Sequence, residues 1–246
     1  MSAEDPAAIA AALLAARRGG KLVTPAPPIA DLATAWAVQD QVAAALGGIA
    51  GWKGGPADPA ETRASPIVAG SVVRSPARYD GAGFRLIGVE GEIAFVLAGG
   101  FAAGAAPDDR AILDSVASAH VAIEVCDTRI DNWRDAEALW KLADFQANRG
   151  LVLGDPVPGW RTRDFGSQRA AISADGAELG GRVGFGPSGE PRAVLCAVVR
   201  HLCAARGGVA AGAAITTGSW TGLPLVAPGA RVACHFAGIG TAEAAF

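Results

Sequence analysis

Three glutamates have the type and spacing to do chemistry. Glu90 and Glu92 flank a single glycine in GVEGEIAFVL, and Glu124 lies between Ile123 and Val125 in HVAIEVCDTR. In an extended strand, residues two apart point to the same face. Glu90 and Glu92 then share a face that continues through Ala94 and Val96, while Val89, Ile93, Phe95 and Leu97 make the opposite, apolar face. Two neighbouring carboxylates repel, and partial burial raises the cost, so one stays protonated unless a cation lies between them. A carboxylate set among β-branched residues, as Glu124 is, also needs a partner. Three glutamates on two strands would make a facial set of oxygen ligands for Mg2+ or Mn2+, leaving positions open for water and substrate. Two plainer arrangements account for the same residues. The Glu90–Glu92 pair suits a solvated strand edge, and Glu124 can pair with an arginine such as Arg129.

These residues depend on the elements that carry them. Residues 6–18 are predicted as a helix that opens on Pro6 and ends at Gly19-Gly20. Asp31 is placed to cap a second helix, LATAWAVQDQVAAAL, which stops at Gly47-Gly48. From about residue 66 the texture changes to short β runs, IVAGSVV and GFRLIGVEGEIAFVL. A helix is expected over PDDRAILDSVASA, a strand over HVAIEVCDTRI, a helix over DAEALWKLADFQA and a strand over RGLVLG. After a polar, turn-rich stretch to about residue 190, PRAVLCAVVRHLCAARG reads as a helix, and strands and turns close the chain. Helices first and a mixed β-rich body after them argue for an α+β fold, with a helical region over 1–65 and a β-rich region over 66–246.

Composition narrows the function classes. The 246 residues are 51% hydrophobic and 18% charged, which supplies a core and excludes global disorder. The net charge is −3 with no basic block, so neither nucleic acid nor an anionic membrane is expected as a partner. The opening MSAEDPAAIAAALLAARRGGK does not read as a signal peptide, and no apolar run has the length of a membrane helix. Cys126, Cys196, Cys203 and Cys234 lack CxxC spacing and are expected as buried, reduced thiols of a cytoplasmic protein. GGPADP and GFGPSGEP do not form a dinucleotide-binding GxGxxG between strand and helix. No Ser-His-Asp arrangement is evident. His120 shares the face of Glu124 but, like His201 and His235, is expected to be structural.

GVEGEIAFVL, HVAIEVCDTRIDNW, LADFQANRGLVLG and TTGSWTGLPLVAPGARVACHFAGIGTAEAAF follow one another in a telling order. The set resembles the 2-keto-4-pentenoate hydratase and 4-oxalocrotonate decarboxylase branch of the fumarylacetoacetate hydrolase superfamily. AWAVQDQVAAAL followed by GWKGG is similar to the same branch upstream. The resemblance implies a mixed β-roll on a small helical N-terminal region, and a divalent metal held by Glu90, Glu92 and Glu124. It implies that Lys53 binds an anion or donates a proton, its flanking glycines letting a ligand approach. Ser219, with Thr217 and Gly218, is implied at the substrate carboxylate. Asp144 is implied as a catalytic group that orients a water or Lys53, with a local pair or cap as the alternative. Asn148 and Arg129 complete the expected substrate-binding set. Phe145 departs from the asparagine that often follows the aspartate of this motif, and AGGFAAGAAPDD is expected as a mobile loop.

The implied activity is hydration of a 2-hydroxy-2,4-dienoate or 2-keto-4-enoate in catabolism of aromatic-type compounds. A 4-oxalocrotonate-type decarboxylase and an acylpyruvate hydrolase could use the same chelating site. The histidine-based water activation of the hydrolases has no counterpart here, which favours hydration. The expected partners are a small 2-keto or 2-enol carboxylate and further copies of the chain, with a related decarboxylase or hydratase as a possible complex. A non-catalytic subunit of such a complex is the reading from another class.

Overall fold

The structure is a computed structural model that describes residues 5–246; residues 1–4, part of the segment read for a signal peptide, lie outside the described residues. The two N-terminal helices form where their caps predict. Asp5 accepts the amides of Ala7 and Ala8 ahead of Pro6–Arg17, and Asp31 accepts Thr34 N at 2.8 Å ahead of Leu32–Ala45. Their apolar faces pack around Trp140 and Phe145, together with Ile130 and Val68. The N-terminal helices are therefore held by a segment a hundred residues away in sequence.

The body is a main sheet and a smaller one. The main sheet runs Arg63–Val68, Ile49–Gly55, Ala214–Thr216, Ile87–Leu97, Val116–Cys126, Asn148–Pro156, Val72–Arg74, and Leu225–Val226 also pairs with Ile87–Leu97. The smaller sheet runs Ala177–Val183, Arg169–Ala174, Arg231–Phe236, Gly240–Ala245, Ala77–Arg78. Val89, Ile93 and Phe95 from the first sheet, Ile172 and Phe236 from the second, and Val194 and Val198 of the helix Pro191–Ala205 share one core. The opposite face of the main sheet is built from small residues beside Ile67 and Leu151, notably Ala94, Ala122 and Ala214. Glu90, Glu92 and Glu124 stand on this second face. The arrangement is the α+β fold expected from the sequence, and the division at residue 65 passes through the Arg63–Val68 strand.

Local structure departs from the sequence reading in four places. The helix expected to reach residue 119 stops at Asp114, because Val116–Cys126 pairs antiparallel with Ile87–Leu97 along its whole length. The helix expected over 135–147 is only Ala138–Ala143. It is followed by three non-glycine residues in left-handed backbone, Phe145 (φ 59°), Gln146 (φ 50°) and Ala147 (φ 64°). The turn-rich stretch before residue 190 contains the hairpin Arg169–Ala174/Ala177–Val183. The AGGFAAGAAPDD segment is tied down: Phe101–Ala102 pairs with Gly208–Val209, and Gly104 N donates to Cys203 O at 2.8 Å. Among the described residues, no helix is long and apolar enough to cross a membrane.

Candidate metal centre and substrate cleft

The antiparallel register sets Glu90 directly opposite Glu124 and Glu92 opposite Ala122. Period-two alternation then puts all three carboxylates on one face, with the alanine leaving room between them. Glu92 and Glu124 are buried, at 1% and 0% exposure, and the Glu90 side chain is 14% exposed. Lys53 reaches the group from Ile49–Gly55. Its Nζ lies 2.9 Å from Glu124 Oε1 and 3.5 Å from Glu90 Oε2, and it donates to Gln146 O at 3.2 Å. Glu124 thus pairs with Lys53 and not with Arg129.

The electrostatics of the group are uneven. Burial opposes charge on Lys53, but the carboxylates of Glu124, Glu90 and Glu92 outweigh it and hold the ammonium well above its ordinary pKa. Burial pushes the Glu92 carboxyl well up, and its neighbours Glu124 and Glu90 push the same way against Lys53. Burial also raises Glu90, with Lys53 opposing it more strongly than Glu124 adds. Three carboxylates face one ammonium, so the fully ionised group carries two uncompensated negative charges. In addition, Glu124 Oε2 is buried without a hydrogen-bond partner, a costly state for a carboxylate oxygen. Charge and orphaned oxygen both fit a divalent cation with oxygen ligands.

The surrounding residues hold these carboxylates in place. Thr217 N and Gly218 N donate to Glu92 Oε2 at 3.0 and 2.8 Å, and Asn148 Nδ2 donates to Glu124 Oε1 at 3.0 Å. Gly218 sits at φ 91°, and a Cβ there would collide with Ser188 Oγ. Thr217 and Asn148, expected at the substrate, are thus committed to the carboxylates, while Gly218 and Ser219 both line the cleft. The Ser219 hydroxyl donates to Gly222 O at 2.9 Å.

Asp144 and Arg129 need a larger correction. Arg129 Nε and backbone N donate to the Asp144 carboxylate at 2.5 and 2.9 Å, and its remaining donors go to Asp127 O, Asn148 O and Asp144 O. The two charges bind each other in the interior, the local pairing that was the alternative for Asp144, and neither faces the cleft. Gly54 and Gly55 line the cleft beside Lys53, and a side chain on Gly54 would meet Val198 of the helix Pro191–Ala205. His120 is structural, with Nδ1 at 3.0 Å from Gly154 O and Nε2 at 2.9 Å from Ser118 Oγ.

The cleft has a volume of about 420 Å³, and Lys53, Glu90, Glu92, Gln146, Arg182 and Ser219 line it. That is within the range of small-molecule sites. Two of its residues escaped the sequence reading. Gln146 comes from the left-handed turn, which no glycine signals. Arg182 comes from the hairpin hidden in the turn-rich stretch. A third omission is Cys126, two residues beyond Glu124 and therefore on its face. All four cysteines are buried and unpaired as expected, but Cys126 Sγ lies 3.6 Å from Glu90 Oε2 and 3.7 Å from Glu124 Oε1.

No family model matches the sequence, and a search of the curated proteins found no match. Solved structures do match. The 4-oxalocrotonate decarboxylase from Pseudomonas putida G7, complexed with magnesium and adipate, superposes with a TM-score of 0.85 at 19% identity, over 97% of this chain and 96% of that one. The same enzyme with calcium and acetate gives 0.85 at 18% identity, over 100% and 98%. Fumarylpyruvate hydrolase from Pseudomonas aeruginosa in complex with Mn2+ and pyruvate gives 0.53 at 14% identity, over 75% and 78%. From end to end, the chain has the fold of 4-oxalocrotonate decarboxylase, the fold its resemblance to the fumarylacetoacetate hydrolase superfamily implies.

Proposed function

We propose that the chain is a divalent-metal-dependent lyase that hydrates a small 2-hydroxy-2,4-dienoate. The observation that carries this reading is the group in which Lys53, Glu90 and Glu92 line the cleft and the fully buried Glu124 pairs with Lys53, with one ammonium for three carboxylates and an unpartnered Glu124 Oε2. Glu90, Glu92 and Glu124 would hold Mg2+ or Mn2+, the ions with which two of the structural neighbours are complexed. An ion held there would supply Lewis-acid stabilisation of developing negative charge on the substrate.

The chain's own residues do the rest. Arg182 at the mouth of the cleft offers a planar cation for a substrate carboxylate. Lys53 stays protonated at neutral pH and faces the cleft, so its Nζ can donate a proton to a developing anion or carbanion. Ketonisation moves the 2-hydroxyl proton, through such a group, to the terminal diene carbon. Water then adds across the conjugated double bond, its oxygen to the carbon distal to the ketone and its proton to the carbon beside it. The Glu92 carboxylate is fixed by two amides and positions the group without moving.

Decarboxylation is the second reading, favoured by the end-to-end likeness to 4-oxalocrotonate decarboxylase. There the electrons of the breaking carbon–carbon bond pass into the conjugated ketone as CO2 leaves, and a proton donor completes the product. Chelator-treated protein on 2-hydroxypenta-2,4-dienoate, with and without added Mg2+, tests the first reading. Metal-dependent loss of the diene absorbance is expected. Metal-dependent CO2 release from 4-oxalocrotonate with the dienoate untouched would replace hydration by decarboxylation.

A further inference from the structure

We infer that Cys126 is a ligand of the metal centre and gives this site a preference for a thiophilic divalent ion. The inference rests on the metal reading above and adds a sulfur beside Glu90 and Glu124. Glu90, Glu124 and Cys126 each offer a ligand atom, and these atoms all lie within 4.8 Å of one another. The distances suit a shared ion. Around a tetrahedral zinc ion, a thiolate at about 2.3 Å and a carboxylate oxygen at about 2.0 Å stand about 3.5 Å apart. Cys126 Sγ lies 3.6 and 3.7 Å from the two carboxylate oxygens it faces. The sulfur is also fixed. Cys126 is 1% exposed and belongs to the strand that carries Glu124. The orphaned Glu124 Oε2 independently points to a missing partner.

Lys53 supplies the selectivity argument. Its ammonium touches Glu90 Oε2 and Glu124 Oε1, the same oxygens that face Cys126. An incoming ion must compete with that ammonium. Mg2+ gains little from sulfur, whereas Zn2+ or Co2+ gains a thiolate bond. On binding, the S–H bond breaks, the sulfur–metal bond forms, and the thiol proton passes to solvent.

Cobalt titration of chelator-treated protein tests this directly. A near-ultraviolet thiolate-to-cobalt charge-transfer band is expected in the unaltered chain, absent from Cys126→Ala and from Glu124→Gln. Competition calorimetry is expected to show Zn2+ affinity reduced about tenfold or more in Cys126→Ala, with Mg2+ affinity within about twofold. Stoichiometric Co2+ binding that needs Glu124 but gives no such band would overturn the role of Cys126 and leave the carboxylate site standing. No Co2+ binding, or binding indifferent to Glu124→Gln, would overturn the metal reading itself. The band in the unaltered chain decides the matter even if Cys126→Ala fails to fold.

Discussion

Two buried ionic clusters meet at Asn148, whose carbonyl accepts from Arg129 and whose side-chain amide donates to Glu124, and they are built on opposite principles. Around Arg129 the ion pair with Asp144 closes on itself. The guanidinium binds the Asp144 carboxylate and three backbone carbonyls, and Asp127 Oδ1 accepts the amides of Arg85, Leu86 and Thr128. Around Lys53 the charges do not balance, and one carboxylate oxygen has no partner. A closed cluster of this kind holds a fold together, whereas an open one stores unfavourable energy that a ligand can relieve. The left-handed turn Phe145–Ala147 joins them, with Asp144 in the closed cluster and Gln146 O on Lys53 in the open one.

Breaking one partner in each cluster should move stability in opposite directions. Asp144→Ala strands a buried guanidinium and is expected to cost about 3–5 kcal/mol in urea denaturation. Glu92→Gln keeps an oxygen for the Thr217 and Gly218 amides while removing a like charge. In chelator it is expected to raise the stability read by urea denaturation, because burial and the neighbouring Glu124 and Glu90 carboxylates no longer act on a charge there, and to abolish the gain from added metal. Equal losses from both substitutions would end the distinction.

A pH series sharpens it further. Glu90 and Glu92 have folded pKa values above their ordinary 4.5, so the metal-free folded state holds protons that the unfolded state has released. Stability then falls as pH rises from the ordinary carboxylate range through the raised values. Lys53 is shifted upward too, but its contribution is constant until its ordinary pKa of 10.5 is approached. Metal binds the ionised carboxylates, so the metal-induced rise in Tm is expected to be larger at about pH 8 than at about pH 6. The smallest effect is at the junction. Ala147→Gly relieves left-handed strain and is expected to stabilise by up to about 1 kcal/mol.

The sequence made one face of one strand legible. Period-two spacing puts Glu90 and Glu92 together whatever the tertiary fold, and Glu124 follows from an apolar neighbourhood that an unpaired carboxylate cannot tolerate. The direct opposition of Glu90 and Glu124 depends on strand register, which no local signal fixes. Cys126 was within reach of the same period-two rule, but its apolar neighbours made it look like ordinary core. Arg129 and Asp144 show the reverse failure. Charged residues in a functional-looking motif do not reveal whether their hydrogen bonds close on themselves. The hairpin that carries Arg182 is rich in glycine and alanine and lacks the β-branched run that marks a strand.

The central claim is that the open cluster is a divalent-cation site. Calorimetric titration of chelator-treated protein with Mn2+, in the unaltered chain and in Glu124→Gln, tests it most directly. One bound ion per chain, lost in the variant while the variant remains folded, is the expected result. No binding by a folded protein, or equal binding by both, would contradict it and leave Lys53 as the cluster's only cation.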